Sequence, residues 1–276
     1  MNKVVVISGL GAGMGYEVAK ILAGKGMSIA GFDMDPEALK TVKKDLDRIG
    51  GVHYLEALDI TNRPGILKFR DKVLAEYGHV DTVLSNVGLG FFGPFEEIDL
   101  EKAIKNVEIN LFGAAALLQA FIPSMRERRY GKLVVMASMI GRIPFPFESI
   151  YVAGKFAVEG LVRSIRYELE PFGIKVALVE PSQVSSQFAA KCHNRPPVDS
   201  PYYDRVVRFS KQNSEILKAS PTPLEAAKKI AAIVEESAPK LHNQLSRRDS
   251  FNVKISELLP NCIYDPMFLK HMDIKN

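Results

Sequence analysis

The stretch from Lys3 to Gly24 limits the folds open to this chain more than any other. Lys3 to Ser8 is apolar enough for a buried strand. Gly9, Gly11, Gly13 and Gly15 then recur at every second residue, and a helical pattern runs from Tyr16 to Gly24. Strand, glycine turn and helix in this order let a backbone approach a pyrophosphate closely, with the donors and positive dipole end of the helix facing it. The spacing is Gly9-x-x-x-Gly13-x-Gly15, which differs from the Gly-x-Gly-x-x-Gly form. A Walker phosphate loop is excluded, because no Lys-Ser or Lys-Thr follows the glycines.

The same alternation continues down the chain. Apolar runs at Met27–Phe32, Val52–Ala57, Val80–Leu84, Lys132–Ala137 and Ile174–Val179 read as strands. Helical patterns separate them: Pro36–Ile49, one beginning near Pro64, Leu100–Met125 and Ser149–Glu170. Strands alternating with helices predict one α/β domain over residues 1–276, a doubly wound parallel sheet with right-handed crossovers. Regularity fades from Val184 to Pro223, where Pro196, Pro197, Pro201, Pro221 and Pro223 punctuate the chain. Leu224–Ser237 reads as a helix, Lys240–Leu245 as a seventh strand and Phe251–Leu259 as a short helix.

Asp33 ends the second strand, about twenty residues beyond the glycines. An acid there can accept from the ribose hydroxyls of an adenosine and would repel a 2′-phosphate. No basic residue at Ala12 or Met34 offsets that charge, so NAD is expected in preference to NADP. Asp35, before Pro36, suits the cap of the next helix. Asp59, next to Ile60, either caps the helix near Pro64 or lies beside the adenine.

A second stretch carries the chemistry. Lys132 to Ala137 leads to Ser138, which puts a hydroxyl at a strand's carboxyl edge, where open α/β sheets bind ligands. Tyr151 and Lys155 are four apart and share a helix face. An ammonium beside a phenol favours the phenolate. Ser138, Tyr151 and Lys155 could therefore form a hydroxyl, an acid/base and a cation. Taken alone, a tyrosine and lysine so spaced are commonly surface residues and a serine after a strand a turn residue, so the glycine turn gives the set its weight.

Composition removes other classes. The net charge is +4, and the densest basic spots, Arg126-Arg128-Arg129 and Arg247-Arg248, are short enough to be solvated surface rather than a nucleic-acid contact. Cys192 and Cys262 are far apart and have no metal-ligand spacing, so no metal site is expected, and free thiols suit a reducing, cytoplasmic setting. The sequence shows no signal peptide or membrane span.

The residues resemble those of the short-chain dehydrogenase/reductases over about the first 190 positions. Gly9-x-x-x-Gly13-Met14-Gly15 is similar to that family's cofactor turn, and Ser85-Asn86-Val87-Gly88 to its Asn-Asn-Ala-Gly segment. Asn110, Ser138, Tyr151 and Lys155 fall where its catalytic tetrad stands. Ser138 lies thirteen residues before Tyr151, the family's usual interval. Pro181-Ser182-Gln183-Val184 resembles its Pro-Gly-x-Val loop, with Ser182 in place of glycine. Lys155-Phe156-Ala157-Val158-Glu159-Gly160-Leu161 and Pro171-Phe172-Gly173-Ile174 are closest to the 17β-hydroxysteroid and retinol dehydrogenase branch.

The resemblance implies a Rossmann-type fold and an enzyme that interconverts a secondary alcohol and a ketone with NAD. It implies cofactor contacts from Gly9, Gly13, Met14, Gly15, Asp33, Asp59, Ile60, Asn86, Gly88, Tyr151, Lys155, Pro181 and Val184. It also implies a homodimer or homotetramer; the helices Leu100–Met125 and Ser149–Glu170 are apolar on more than one face, which points the same way. The substrate is expected to be bulky and apolar, steroid- or retinoid-like. Phe91, Phe92, Phe95, Phe145, Phe147, Phe188, Tyr202, Tyr203 and Phe209 lie in the three segments that should rim the mouth. Arg142 is the one arginine in the first two segments, and it stands against that expectation. Two other readings use the same scaffold: an NAD(H)-binding regulator without turnover, and a lyase or epimerase.

Overall fold

Each central strand sends alternate side chains to opposite faces, and both faces are apolar. In β1 (Val4–Ser8) Val4 and Val6 enter one core, while Val5 and Ile7 enter the other. In β5 (Gly131–Met136) Leu133 and Val135 oppose Val134 and Met136 in the same way. A sheet apolar on both faces needs helices on both. A computed structural model describes residues 2–186 and 196–274 and has that arrangement.

The other strands are β2 (Ser28–Asp33), β3 (Tyr54–Ala57), β4 (Thr82–Ser85), β6 (Ile174–Glu180) and β7 (His242–Gln244). They form one parallel sheet in the order β3-β2-β1-β4-β5-β6-β7. The order reverses between β1 and β4, so a crevice opens at the carboxyl ends of those strands. The helices, in chain order, are α1 (Gly13–Gly24), α2 (Pro36–Ile49), α3 (Arg63–Tyr77), α4 (Leu100–Val107), α5 (Ala114–Arg128), α6 (Ser149–Leu169), α7 (Tyr203–Lys218), α8 (Pro223–Glu235), α9 (Arg247–Leu258) and α10 (Asn261–His271). Buried residues of α1, α2 and α8 fill one core, and those of α3, α5 and α6 the other.

Several local expectations change. The run from Val184 to Pro223 contains a sixteen-residue helix, α7. Its prolines flank the helix instead of interrupting it, and Val206 and Phe209, three apart, give it a buried face. The tail holds α10, and α9 starts four residues before the expected Phe251 because the Ser246 side chain caps it. The seventh strand shortens to three residues. Asp59 does not cap α3: Asn62 accepts from Gly65 N, while Asp59 accepts from Thr61 N and Oγ1.

The helical run Leu100–Arg128 is long and apolar enough to cross a membrane by length and composition. Leu117, Leu118, Phe121 and Met125 pack it against the sheet. Its middle, Glu108–Gly113, is a π turn between α4 and α5. Pro123 neither ends the helix nor is its last residue; the chain leaves at Arg129, whose φ of 52° is left-handed.

Beyond the carboxyl edge of the sheet lies a third, smaller core. Phe92, Val206, Phe209, Met272 and Ile274 are buried there, with Phe145, Phe147 and Phe268 against them.

Candidate active site

The glycine turn is held shut by its neighbours. Gly9 has φ 67°, which favours glycine, and its N–H donates to Phe32 O at 2.8 Å. A Cβ on Gly15 would stand 2.4 Å from Gly9 O and 2.5 Å from Asn86 Nδ2, so only glycine lets α1 approach this closely. A Cβ on Gly13 would meet nothing within 4 Å, so that side of the turn faces open space. Asn86 Nδ2 donates to Ser8 O at 3.1 Å and Gly9 O at 2.9 Å, and Asn86 N donates to Ser8 Oγ at 3.0 Å.

No side chain caps the N-terminus of α1, whereas Asp35, Asn62, Asp99, Thr222 and Ser246 cap α2, α3, α4, α8 and α9. An uncapped helix start beside an open glycine turn offers N–H donors and a positive dipole end to an anion. These residues fit a dinucleotide pyrophosphate. Asp33 sits at the same place: Oδ2 accepts from Gly11 N at 2.9 Å and Oδ1 from Asp35 N at 3.0 Å. It therefore braces the turn. Asp59 is exposed, while Ile60 is buried and packs on Gly113 of the π turn.

The second group gathers at the carboxyl ends of β5 and β6. Ser138, two residues past β5, is buried; Oγ accepts from Ile140 N and donates to Pro181 O, both at 3.3 Å. Met139 N also donates to Pro181 O at 2.9 Å, so the loop after β6 is tied to the serine loop. Tyr151 lies in the first turn of α6 and is 7% exposed. Lys155 Nζ stands 5.6 Å from the Tyr151 ring centroid and donates to Met136 O at 2.9 Å. Burial brings the Lys155 ammonium down to about 8, against the pull of Glu159. Val184 is half-buried against the α1 side of the core.

Asn110 lies in the π turn, a frequent location for functional residues. Its Nδ2 donates to Leu89 O at 2.7 Å and to Asn106 O and Oδ1, each at 3.0 Å; its Oδ1 accepts from Leu89 N at 3.1 Å. Asn110 thus clamps the loop after Gly88. Asn106, 1% exposed, shares the task by donating to Leu89 O and Gly90 O. Sequence reasoning passed over Asn106, although its place four residues before Asn110 puts both amides on one helix face.

Three aromatic residues of the expected rim, Phe92, Phe147 and Phe209, pack on one another, and Phe145 packs on Phe268 of α10. Phe92 and Phe209 stack at 5.6 Å, Phe147 meets Phe209 edge-on at 5.6 Å, and Phe145 meets Phe268 at 5.0 Å. Phe147 has φ 62°, held by Gly93 N donating to its carbonyl at 2.8 Å. Phe95 is 69% exposed. Phe188 and Cys192 lie outside the described residues. Arg142 is turned into a cluster with Glu180, Glu257 and His242.

The short chain dehydrogenase family model matches residues 3–196, which include the turn, Asn110, Ser138, Tyr151 and Lys155. The chain belongs to this family. Among its relatives, the 3-ketodihydrosphingosine reductase of Bacteroides thetaiotaomicron is 31% identical over 186 residues, 67% of this chain and 65% of that protein. The chain thus spans just under two thirds of that relative's length. Retinol dehydrogenase 8 of Bos taurus is 28% identical over 269 residues, 89% of this chain and 82% of that protein. It falls in the branch that the sequence resembles most. The solved structure of an alcohol dehydrogenase from the archaeon Thermococcus sibiricus, complexed with 5-hydroxy-NADP, matches with a TM-score of 0.75 at 25% identity. That match covers 88% of this chain and 96% of the other. This short chain dehydrogenase therefore has both the fold and the sequence pattern of an oxidoreductase family, some of whose solved members are complexed with nicotinamide cofactors.

Proposed function

We propose that this short chain dehydrogenase interconverts a secondary alcohol and a ketone, with NAD as its preferred cofactor and a bulky apolar substrate. The observation that carries this reading is that Lys155 Nζ stands 5.6 Å from the Tyr151 ring and bonds Met136 O, two residues before Ser138, at the same carboxyl edge of the parallel sheet from which α1 starts uncapped. A nicotinamide held there would supply the hydride chemistry at the carbinol carbon. Ser138 Oγ hydrogen-bonds the substrate oxygen. Tyr151 gives or takes the proton at that oxygen as general acid/base. Lys155 lowers the phenol's pKa by its charge and holds the nicotinamide ribose, and Asn110 positions a water in the proton path. Gly9, Gly13, Met14 and Gly15 receive the pyrophosphate, and Asp33 the adenosine ribose. Asp59 and Ile60 would hold the adenine, Asn86 and Gly88 would lie below the cofactor, and Pro181 and Val184 would border the nicotinamide. A regulator without turnover has no need of the acid/base set, and an alcohol–ketone conversion uses all of it.

Two features favour an apolar substrate. Aromatic residues gather beyond the carboxyl edge of the sheet, and Arg142 is already paired with Glu180 and Glu257. A ligand that buries about 300 Å² of apolar surface gains roughly 7 kcal/mol before association costs. Asp33, with no basic neighbour, disfavours a 2′-phosphate. Exposed Leu100, Ile104, Phe112, Phe156 and Tyr167 on α4 to α6 and the π turn favour a homodimer or homotetramer. The exposed free thiol of Cys262 suits a cytoplasmic location.

The test follows nicotinamide absorbance with NAD(H) and NADP(H) over apolar and carboxylate-bearing alcohols and ketones. Turnover of steroid-, retinoid- or long-chain ketones with NADH is expected. Turnover restricted to carboxylate substrates would reject the apolar reading, and none with any substrate would reject the enzyme. Light scattering at micromolar concentration should give a dimer or tetramer, and a monomer mass would reject that part.

A further inference from the structure

One helical turn beyond Lys155, four ionisable side chains meet. Glu159 comes from α6, Glu180 from the end of β6, His242 from β7 and Arg142 from the loop after Ser138. His242 Nδ1 lies 2.5 Å from Glu180 Oε1 and 3.7 Å from Glu159 Oε2. Arg142 Nη1 lies 3.3 Å from Glu180 Oε1 and 3.0 Å from His242 Nδ1, and Gln244 donates to the other Glu180 oxygen. Glu180 is thus well supplied with donors. Glu159 is 3% exposed, and neither of its enclosed oxygens receives a hydrogen bond.

A bare carboxylate buried without donors and facing a second carboxylate is costly. Either a proton or a metal ion removes the cost. Glu159, Glu180 and His242 offer ligand atoms within 4.8 Å of one another. Arg142 Nη1 already lies 3.3 Å from Glu180 Oε1 and 3.0 Å from His242 Nδ1, so a divalent cation held by those two groups would stand against a guanidinium, like charge to like. A single proton on Glu159 removes its unpartnered charge and supplies the missing donor for a Glu159–Glu180 hydrogen bond.

The cluster also adjoins the Ser138 loop, the Lys155 turn of α6 and the Pro181 loop. A Cβ on Gly141, in the serine loop, would stand 3.0 Å from both Glu159 Cγ and Lys155 O. Glu180 directly precedes Pro181, whose carbonyl receives Ser138 Oγ and Met139 N. We propose that Glu159 is a positioning residue: as a carboxylic acid paired with Glu180 inside the Arg142–His242 cage, it holds the Ser138 loop, the Lys155 turn of α6 and the Pro181 loop in one register. Its effect on turnover rests on the function proposed above, whereas its effect on stability does not.

The charged groups around Glu159 agree with a retained proton. Burial raises its carboxyl well above the usual range, and the charge of Glu180 adds to this, while Arg142 and Arg163 oppose it. Burial works to raise Glu180 as well, but the hydrogen bond and charge of His242, with Arg142 behind, bring it below its ordinary value. Lys155 on the same helix and Glu257 on α9, paired with Arg142, complete the surroundings. The sign follows. Glu159 keeps its proton in the folded chain at a pH where the unfolded chain, near 4.3, has lost it. Its contribution to stability is therefore full at acid pH and falls as pH rises through the folded value.

The experiment compares the full-length wild type with Glu159→Gln and Glu159→Leu, without and with millimolar Mg²⁺, Mn²⁺ or Zn²⁺. Melting temperature and kcat are followed from about pH 5 to about pH 9. Glutamine mimics the protonated acid, so Glu159→Gln should melt within ~2 °C of wild type at about pH 5 and ~4 °C or more above it at about pH 9. Glu159→Leu should lose kcat by roughly tenfold or more, and Glu159→Gln should rescue most of that loss. A temperature difference that is flat with pH, or a glutamine variant that does not fold, would overturn the retained proton. Equal kcat in the leucine variant and wild type would overturn the positioning role. A divalent ion that raises the melting temperature of wild type but not of Glu159→Gln would replace the proton with a metal. If no variant or wild type turns over any substrate, the melting series still decides the proton, and the function proposed above is what fails.

Discussion

The two walls of the crevice are built by different means. The inner wall, at the strand ends, is fixed by polar bonds between residues far apart in sequence: Asn86 to Ser8 and Gly9, Asp33 to Gly11, Lys155 to Met136, Asn110 to Leu89. The outer wall, α7, α10 and the two phenylalanine loops, is held by ring on ring. Hydrogen bonds have narrow geometry, so the inner wall can set a reacting atom to a fraction of an ångström. Apolar packing tolerates volume-conserving change. A scaffold that joins the two can keep one chemistry and vary its substrate.

The comparison breaks most sharply at Tyr151. Tyr151→Phe keeps the ring and removes the proton, so kcat should fall by about a hundred- to ten-thousandfold while the NADH dissociation constant, read by fluorescence titration, stays within about twofold. More than half the wild-type rate would remove the phenol from the mechanism.

The inner wall was legible because its residues are short motifs locked to strand ends. Gly9 to Gly15, Ser138 and Tyr151-x-x-x-Lys155 each imply a local geometry that the fold then brings together. The outer wall was legible in its phenylalanines but not in its helices. Prolines around α7 hid its helical period, and α10 has little amphipathic pattern and carries Pro266 inside it. The charged cluster was missed for another reason. Arg142, Glu159, Glu180 and His242 are separated by 17, 21 and 62 positions, and only the sheet order makes them neighbours. Arg142 read in isolation suggested a substrate contact, yet its guanidinium is held by two carboxylates.

A smaller effect is expected from the outer wall. Phe209 is fully buried between Phe92 and Phe147. Phe209→Ala should cost about 3–5 kcal/mol of stability, seen in a urea titration. It should raise the KM of an apolar ketone while leaving NADH affinity within about threefold. Equal losses of both affinities would mean that the walls are one cooperative unit.

The smallest effect should come from Asp33. Replacing it with serine removes the acceptor for Gly11 N and for the ribose, and also the charge opposed to a 2′-phosphate. The ratio of kcat/KM for NAD over NADP should fall by roughly ten- to a hundredfold, consistent with the ~1.5–3 kcal/mol of a hydrogen bond to a charged group. An unchanged ratio would separate the bracing of the turn from cofactor choice.

The π turn at Glu108–Gly113 gives the long helix one residue more than a plain α-helix of the same rise would hold. Each residue advances an α-helix by about 100°, so the side chains before and after the turn are out of phase by that angle. The face of α4 that carries Asn106 toward the Leu89 loop and the face of α5 that carries Leu117 and Phe121 to the sheet are therefore not one continuous stripe. The helix works as a coupling with a fixed offset. Deleting a single residue here would restore a regular ladder and yet force a choice: either Asn110 stays under the loop or the apolar face stays on the sheet.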